Sequence, residues 1–372
     1  MSSKDLINKL IEPSGVKING SNPWDIQVHD ERFYARVLKD NELGLGESYM
    51  DGWWDCEELD EMFYRLLRSG IDRKINHNYR LKMQFLLHYL LNYQTKSRSL
   101  EVAKKHYDAG NELYRAMLGE TMVYSGGYWK GTDNLEDAQL NKMKLICKKL
   151  MLEPGMKLLD IGCGWGTMAC YLAKNYGVEV VGITISEQQK KVAEERCKNL
   201  SVEIRLQDYR DLGEQKFDRI VSIGMYEHVG YKNYRTYMEV VKRCLVDDGL
   251  FLLQTIANNY THVTGDPWLN KYVFPNGMLP SVTQIGEAIE GLLILEDWHN
   301  LSVNYDKTLM AWYQNFVLHW PKLKALYDQR FYRMWTYYLL YCAGAFRARK
   351  IQLWQIALSP SGLKDGFKAR DI

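Results

Sequence analysis

The apolar segment 157–161 runs straight into Gly162-Cys163-Gly164-Trp165-Gly166, with Asp160 next to last in the strand. Glycine lacks a Cβ and tolerates positive φ, so three glycines at alternate positions let a backbone turn tightly beside a ligand. An open, mostly parallel α/β sheet takes an adenosine-bearing cofactor at that place, at the carboxyl end of its first strand. The competing reading is a glycine-rich turn with only a structural role, since a glycine pattern alone is a weak signal. The strand, loop and helix context around it favours the cofactor.

The spacing separates cofactor classes. A dinucleotide fingerprint is G-x-G-x-x-G, whereas Gly162, Gly164 and Gly166 give G-x-G-x-G and Thr167 stands where the third glycine should be. An acid just ahead of the loop is unusual for NAD and usual for S-adenosylmethionine. That cofactor has no pyrophosphate to cradle, and its amino-acid end carries an ammonium and a carboxylate. Asp160, Gly162, Gly164 and Gly166 are therefore candidate cofactor residues.

Beyond the loop, strand and helix patterns alternate. Strands are expected at 178–185, 202–207, 217–223 and 249–256, with two late ones at 292–301 and 352–359. This alternation predicts an α/β fold, a doubly wound Rossmann-like sheet with helices on both faces. Residues 259–290 read as loop-rich, with Pro267, Pro275 and Pro280. A helical block rich in Trp and Tyr lies between the late strands.

In such a sheet the ligands gather at the carboxyl ends of the strands. Thr184, Ser186 and Gln189 are the hydrogen-bonding side chains near the end of the second strand, where an acid often holds a ribose. Gln207 and Asp208 close the third, with Asp208 placed for an adenine edge. Glu227 and His228 follow the fourth, and a carboxylate beside an imidazole is a plausible acid–base pair. A helix-start Glu with a packed His is the alternative.

Residues 1–96 read as a separate small α+β unit, and 97–372 as the catalytic domain. Gly44, Gly46 and Gly52 punctuate the run before a helix at about 58–68. A second helix, at about 77–93, carries a narrow polar stripe of Arg80, Gln84, His88 and Asn92 and is otherwise mostly apolar. So wide an apolar face is buried in protein or lies on a membrane. Arg68, Arg73, Lys74, Arg80 and Lys82 cluster near it and would attract anionic lipid, unless they form a solvated charged face. The polar stretch 94–99 reads as a linker.

Composition narrows the classes. The 372 residues suggest about two domains. The 48 Lys and Arg against 46 Asp and Glu leave a net charge of +2, so no bulk field marks a nucleic-acid binder. Seven cysteines, none in C-x-x-C spacing, fit a reducing cytoplasmic compartment and suggest no metal site. No signal pattern opens the chain, and no apolar run approaches the ~18 residues of a membrane span. The 26 Tyr and 11 Trp suit apolar-walled pockets or lipid interfaces as well as an aromatic core.

Several motifs stand in an order that resembles one family. They are His106-Tyr107-Asp108-Ala109-Gly110-Asn111, Tyr124-Ser125-Gly126-Gly127-Tyr128-Trp129, the glycine loop, Tyr226-Glu227-His228-Val229-Gly230, Phe274-Pro275-Asn276-Gly277 and Cys342-Ala343-Gly344-Ala345-Phe346-Arg347. The chain resembles cyclopropane-fatty-acyl-phospholipid synthases, and its front unit resembles the two-domain bacterial branch. The resemblance implies a class I S-adenosylmethionine-dependent methyltransferase that moves a methyl onto a cis double bond of a phospholipid acyl chain. Proton loss to a bound bicarbonate and ring closure would follow. It implies that Tyr124, Ser125, Gly162, Gly164, Thr184, Gln189 and Asp208 line the cofactor, and that Glu227, Tyr305 and the Ile256 backbone hold bicarbonate. It further implies a homodimer that works peripherally at the cytoplasmic face of a phospholipid bilayer. Two positions depart from the family pattern: Gly126 replaces a cysteine that serves through its backbone N–H, and Gln254 replaces a histidine. A cation in a wet site is captured by water, so the site must be dry. The faces of Tyr128, Trp129 and the aromatics of 312–338 could steady it. A methylated or methylene product, and a lipid-binding protein with a vestigial cofactor site, remain alternatives.

Overall fold

The structure is a computed structural model, and it describes residues 2–71 and 110–368. The chain forms two compact units, one of residues 1–91, 263–277 and 305–351, the other of 92–262, 278–304 and 352–372. The expected boundary at residue 96, the 77–93 helix, the 94–99 linker and the basic residues Arg73, Lys74, Arg80 and Lys82 lie outside the described residues. The division is not a front piece followed by a back piece. Residues 263–277 and 305–351, expected in the catalytic domain, belong with the front segment.

The first unit shows why. Helix Gln329–Arg347 is buried along most of its length, from Met334 to Phe346, and so needs cover from other elements. Helix Leu59–Arg68 supplies it. The two backbones approach so closely that a Cβ on Gly344 would lie 2.7 Å from Phe63 Cβ and 2.7 Å from the Asp60 carbonyl. Arg347 bridges Asp60, Glu61 and Asp306. The unit's strands are β1 (Gln27–Val28) and β2 (Trp54–Asp55), which pair antiparallel.

Gly44 and Gly46 do not break the chain. Helix Arg32–Met50 runs through both, with its one non-helical residue at Asn41 (φ 49°, ψ −125°). The glycines are there for close packing: a Cβ on Gly46 would lie 2.3 Å from the Trp268 ring, and one on Gly44 2.5 Å from the Arg36 carbonyl. Gly52, with φ +73°, does form the following turn.

The second unit is built on one sheet of β3 (Lys157–Ile161), β4 (Glu179–Thr184), β5 (Val202–Leu206), β6 (Phe217–Ile223), β7 (Leu245–Asn258), β8 (Ile294–Asn300) and β9 (Ile351–Ser359). The order is β5-β4-β3-β6-β7-β9-β8. Strands β3 to β7 run parallel, and β8 and β9 pair antiparallel. The expected strands are all present, but β7 starts earlier than residue 249, because Leu245 already pairs with Phe217 across a register shift. From β3 the chain steps outward to β4 and β5, then returns to the other side of β3 with β6. That reversal places the ligand crevice at the carboxyl ends of β3 and β6.

The stretch 259–290 is less irregular than expected. It holds helix Pro267–Tyr272, capped by Asp266, and helix Val282–Ile289, which opens on a Ser281/Gln284 capping box. The cap signals, Asp before Pro and Ser-x-x-Gln, are present in the sequence.

Candidate cofactor and catalytic site

Asp160 lies between Gly182 of β4 and Val221 of β6 and is 2% exposed. Burial pushes its carboxyl up to about 7, and its Oδ2 has no hydrogen-bond partner among the described residues. The loop that follows turns on left-handed residues, with φ of +84°, +54° and +79° at Gly162, Gly164 and Gly166. The N–H groups of Gly162 and Cys163 both donate to the Ile183 carbonyl, each at 3.0 Å. A Cβ on Gly166 would strike Ala193, so that glycine serves helix packing. A Cβ on Gly164 would meet nothing within 4 Å, so its backbone faces open space. An orphaned buried carboxylate oxygen beside an open glycine backbone fits an ammonium-bearing cofactor.

The segment 111–125 packs on this loop. Trp165 Nε1 donates to Asn111 Oδ1 at 3.2 Å, and Thr167 Oγ1 donates to the Thr121 carbonyl at 2.6 Å. The Tyr114 ring lies 5.1 Å from Trp165 and 5.3 Å from Tyr124. Tyr124 and Ser125 are thus brought to the loop through aromatic contacts. Ser125 is buried, with Lys142 Nζ donating to its Oγ at 2.7 Å. Gly126 is buried behind it.

Thr184, Ser186 and Gln189 form one closed cluster. Thr184 Oγ1 donates to Gln189 Oε1 at 2.9 Å and accepts from Ser186 N–H, while Ser186 caps the helix that contains Gln189. Gln207 N–H donates to the Thr184 carbonyl at 2.9 Å, tying the ends of β4 and β5 together. Asp208 is buried, and Arg210 engages both of its oxygens through backbone and guanidinium. Its carboxylate is therefore more occupied than the sequence reading assumed.

The Glu227 turn forms a second focus. Tyr226 stacks on Tyr234 at 4.3 Å and anchors it, and Met278 N–H donates to the Glu227 carbonyl at 2.8 Å. Glu227 Oε1 accepts from Ile256 N–H at 2.6 Å, while Oε2 is buried without a partner among the described residues. Burial raises the Glu227 carboxyl to about 7, against the lowering effect of that backbone bond. Burial lowers His228 to about 4, so its imidazole is neutral at physiological pH and the pair is not an ion pair. Gln254, on β7, is 1% exposed; its Oε1 accepts from Gln355 Nε2 at 2.9 Å, and its Nε2 has no partner among the described residues. Gln254 also accepts, through its carbonyl, from Gly224 N–H at the head of the Glu227 turn.

Tyr305 belongs to the other compact unit. It is buried there, tilted against Phe346 at 4.5 Å and edge-on to Trp312 at 5.9 Å. The sequence reading missed Lys142, Gln139 and Gln355. Lys142 had a signal: it falls on the buried stripe of helix Leu135–Lys149 with Ala138, Leu145 and Ile146, a place where a charged residue is anomalous. Gln355 had none, because only strand pairing brings it to Gln254.

The family model of mycolic acid cyclopropane synthetase matches residues 94–356. The chain belongs to that family. It is 54% identical over 363 residues to the cyclopropane-fatty-acyl-phospholipid synthase of Escherichia coli K12, covering 98% of this chain and 94% of that protein. The match therefore takes in the front segment that the family model leaves out. A probable fatty acid methyltransferase of Pseudomonas putida is 37% identical over 275 residues, 70% of this chain and 69% of that one. Among solved structures, the mycolic acid cyclopropane synthase CmaA1 in complex with SAH and CTAB superposes with a TM-score of 0.66 at 31% identity, covering 70% of this chain and 98% of that chain. By family and fold the chain is an S-adenosylmethionine-dependent methyltransferase.

Proposed function

We propose that this family member transfers the methyl of S-adenosylmethionine to a cis double bond of unsaturated acyl chains in membrane phospholipids, then directs proton loss to bicarbonate and closure of a cyclopropane ring. The observation that carries this reading is the 54% identity, along 98% of the chain, to a cyclopropane-fatty-acyl-phospholipid synthase. The two unpartnered buried polar atoms, Glu227 Oε2 and Gln254 Nε2, support it.

Bound, S-adenosylmethionine supplies a methyl group activated by its positively charged sulfur. Asp160 and the Gly164 backbone would hold the amino-acid end of the cofactor, with Tyr124 and Ser125 at the loop's edge. The new carbon–carbon bond would use the alkene's electron pair, the sulfur–methyl pair would stay on sulfur as S-adenosylhomocysteine leaves, and a cation would remain on the acyl chain, so the residues there must exclude water. Glu227 is too good a trap to serve as the direct base, because a carboxylate touching the cation would form an ester. Its Oε2 would instead accept a hydrogen bond from a proton-bearing small base, and Gln254 Nε2 would donate one to it. Bicarbonate offers both. Ile256 N–H is already committed to Glu227, so Ile256 acts by fixing Glu227. Gly126 would contribute its N–H.

The same reading makes the protein a peripheral enzyme of the inner membrane surface and a homodimer. No helix among the described residues is long and apolar enough to cross a membrane. A test by deleting residues 1–96 would strip helix Gln329–Arg347 of its cover, so the full chain is the proper reagent.

The experiment incubates the full chain with unsaturated phospholipid vesicles and S-adenosylmethionine, in buffer stripped of carbon dioxide and then with bicarbonate restored. Gas chromatography of the released acyl chains should show cyclopropane product that depends on bicarbonate. Methyl-branched or methylene product would put the chain with the fatty acid methyltransferases. Full activity in stripped buffer, with Tyr305→Phe unaffected, would mean that another base works here.

A further inference from the structure

Helix Leu135–Lys149 buries two lysines on one face, two turns apart. Lys149 forms an ion pair with Asp297 at 3.2 Å. Lys142, 1% exposed, meets no carboxylate among the described residues; its hydrogen bond goes to Ser125 Oγ at 2.7 Å. A buried cation without a counter-charge is costly, so burial lowers Lys142 to about 7: charged and neutral forms are both present near neutrality, and an anion nearby would favour the charged one.

An ammonium has three donors and no lone pair. In the charged form Ser125 Oγ therefore accepts from Lys142, and the serine's own hydrogen is directed elsewhere, with no acceptor among the described residues. The backbone around the serine is held in place. Its carbonyl is held by Gln139 Nε2 at 2.9 Å, and Tyr128 N–H donates to the Ala138 carbonyl at 2.8 Å. Gly127 lies so close that a Cβ there would be 3.1 Å from Ala138 Cβ. The segment 125–128 is laced along the helix. With Lys142 charged, two of its ammonium N–H groups and the serine O–H have no acceptor in the hydrogen bonds among the described residues. Positive charge and unspent donors select an oxyanion. Tyr124, one residue away, is a single ring removed from the glycine loop through Tyr114.

We propose that Lys142 is a positioning residue that, through Ser125 Oγ, presents a hydrogen-bond donor to a small planar oxyanion, either the carboxylate of the cofactor's methionine end or a carbonate-class anion. The proposal rests on the cofactor reading above. Lys142 touches neither ligand; it sets the direction in which Ser125 donates.

The test uses full-length Lys142→Met, close to isosteric and uncharged, with calorimetry of two nucleosides. S-adenosylhomocysteine carries the carboxylate; 5′-methylthioadenosine lacks the whole amino-acid end. Lys142→Met should weaken S-adenosylhomocysteine roughly tenfold to a hundredfold, the worth of one charge-assisted hydrogen bond, and leave methylthioadenosine within about twofold. A second arm measures the bicarbonate concentration that half-restores ring formation in stripped buffer. A rise confined to this arm assigns the oxyanion to carbonate. Ser125→Ala should reproduce the loss, and the double variant should be no worse than either single one, because the two residues act as one unit. Equal losses for both nucleosides, additive losses in the double variant, or no change in either arm would overturn the proposal. Failure of the unsubstituted chain to bind S-adenosylhomocysteine would instead overturn the cofactor reading.

Discussion

Glu227 Oε1 accepts a 2.6 Å hydrogen bond from Ile256 N–H, joining the turn after β6 to the edge of β7. The bond fixes the carboxylate and leaves its other oxygen, Oε2, buried and unpartnered. Burial outweighs the lowering effect of the bonds from backbone N–H groups and the Thr255 side chain, so the group titrates near neutrality while it stays in place.

Because burial raises Glu227 to about 7, it is mostly protonated at pH 6 and mostly ionised at pH 8. As an acceptor toward a proton-bearing base it works only when ionised, so the rate should climb through about pH 7. Glu227→Gln should lose on the order of 2–4 kcal/mol of transition-state stabilisation and flatten that limb. Ring formation measured from pH 6 to 8 checks this; a Gln variant with an unchanged profile would remove Glu227 from the reaction.

Asp160 should oppose stability while serving binding. Its folded value, raised to about 7 from 3.8, means that the fold binds more protons than the unfolded chain between those two values. Stability from this group is therefore fully present below about pH 4 and is lost as pH rises through 7. Asp160→Asn should melt higher than the unsubstituted chain at pH 8, match it near pH 4, and bind S-adenosylhomocysteine far more weakly. Calorimetric melting at the two pH values, with a titration of the nucleoside, reads all three.

Gln254 and Gln355 are buried and share one hydrogen bond. Gln254→Leu would leave the Gln355 amide unpaired and should cost about 1–3 kcal/mol of stability. Gln254→His offers Gln355 a ring-nitrogen acceptor and should keep or raise activity. Denaturant melts and rates of the two variants, taken side by side, separate packing from polarity.

Gly46→Ala tests the first unit. Its Cβ would enter the Trp268 ring, 2.3 Å from the nearest atom, although alanine is the better helix former. Overpacking of this kind costs about 1–3 kcal/mol, more than the helix propensity of roughly 1 kcal/mol returns. A urea midpoint higher than that of the unsubstituted chain would show that Trp268 moves aside freely.

The sheet was legible because its signals are local. An apolar strand, a glycine loop and a following helix can be read within a dozen residues, and the loop's left-handed backbone at Gly162, Gly164 and Gly166 follows from residue type alone. Asp160 was legible for the same reason, as an acid where an apolar residue belongs.

Pairings between distant segments were not legible. Gln355 lies 101 residues from Gln254 and reaches it only because β9 lies beside β7. Gly44 and Gly46 read as breaks, since local propensity disfavours glycine in a helix, but the approach of Trp268 from a distant segment reverses that preference. The sequence by itself determined the α/β class, the cofactor loop and the identity of the acids in it. Tertiary structure alone decided which of those acids are stripped of water, which buried lysine meets no carboxylate among the described residues, and that helix Gln329–Arg347 is covered by the front segment. The reason is physical: backbone conformation depends on near neighbours, whereas desolvation and packing depend on whatever the folded chain brings alongside.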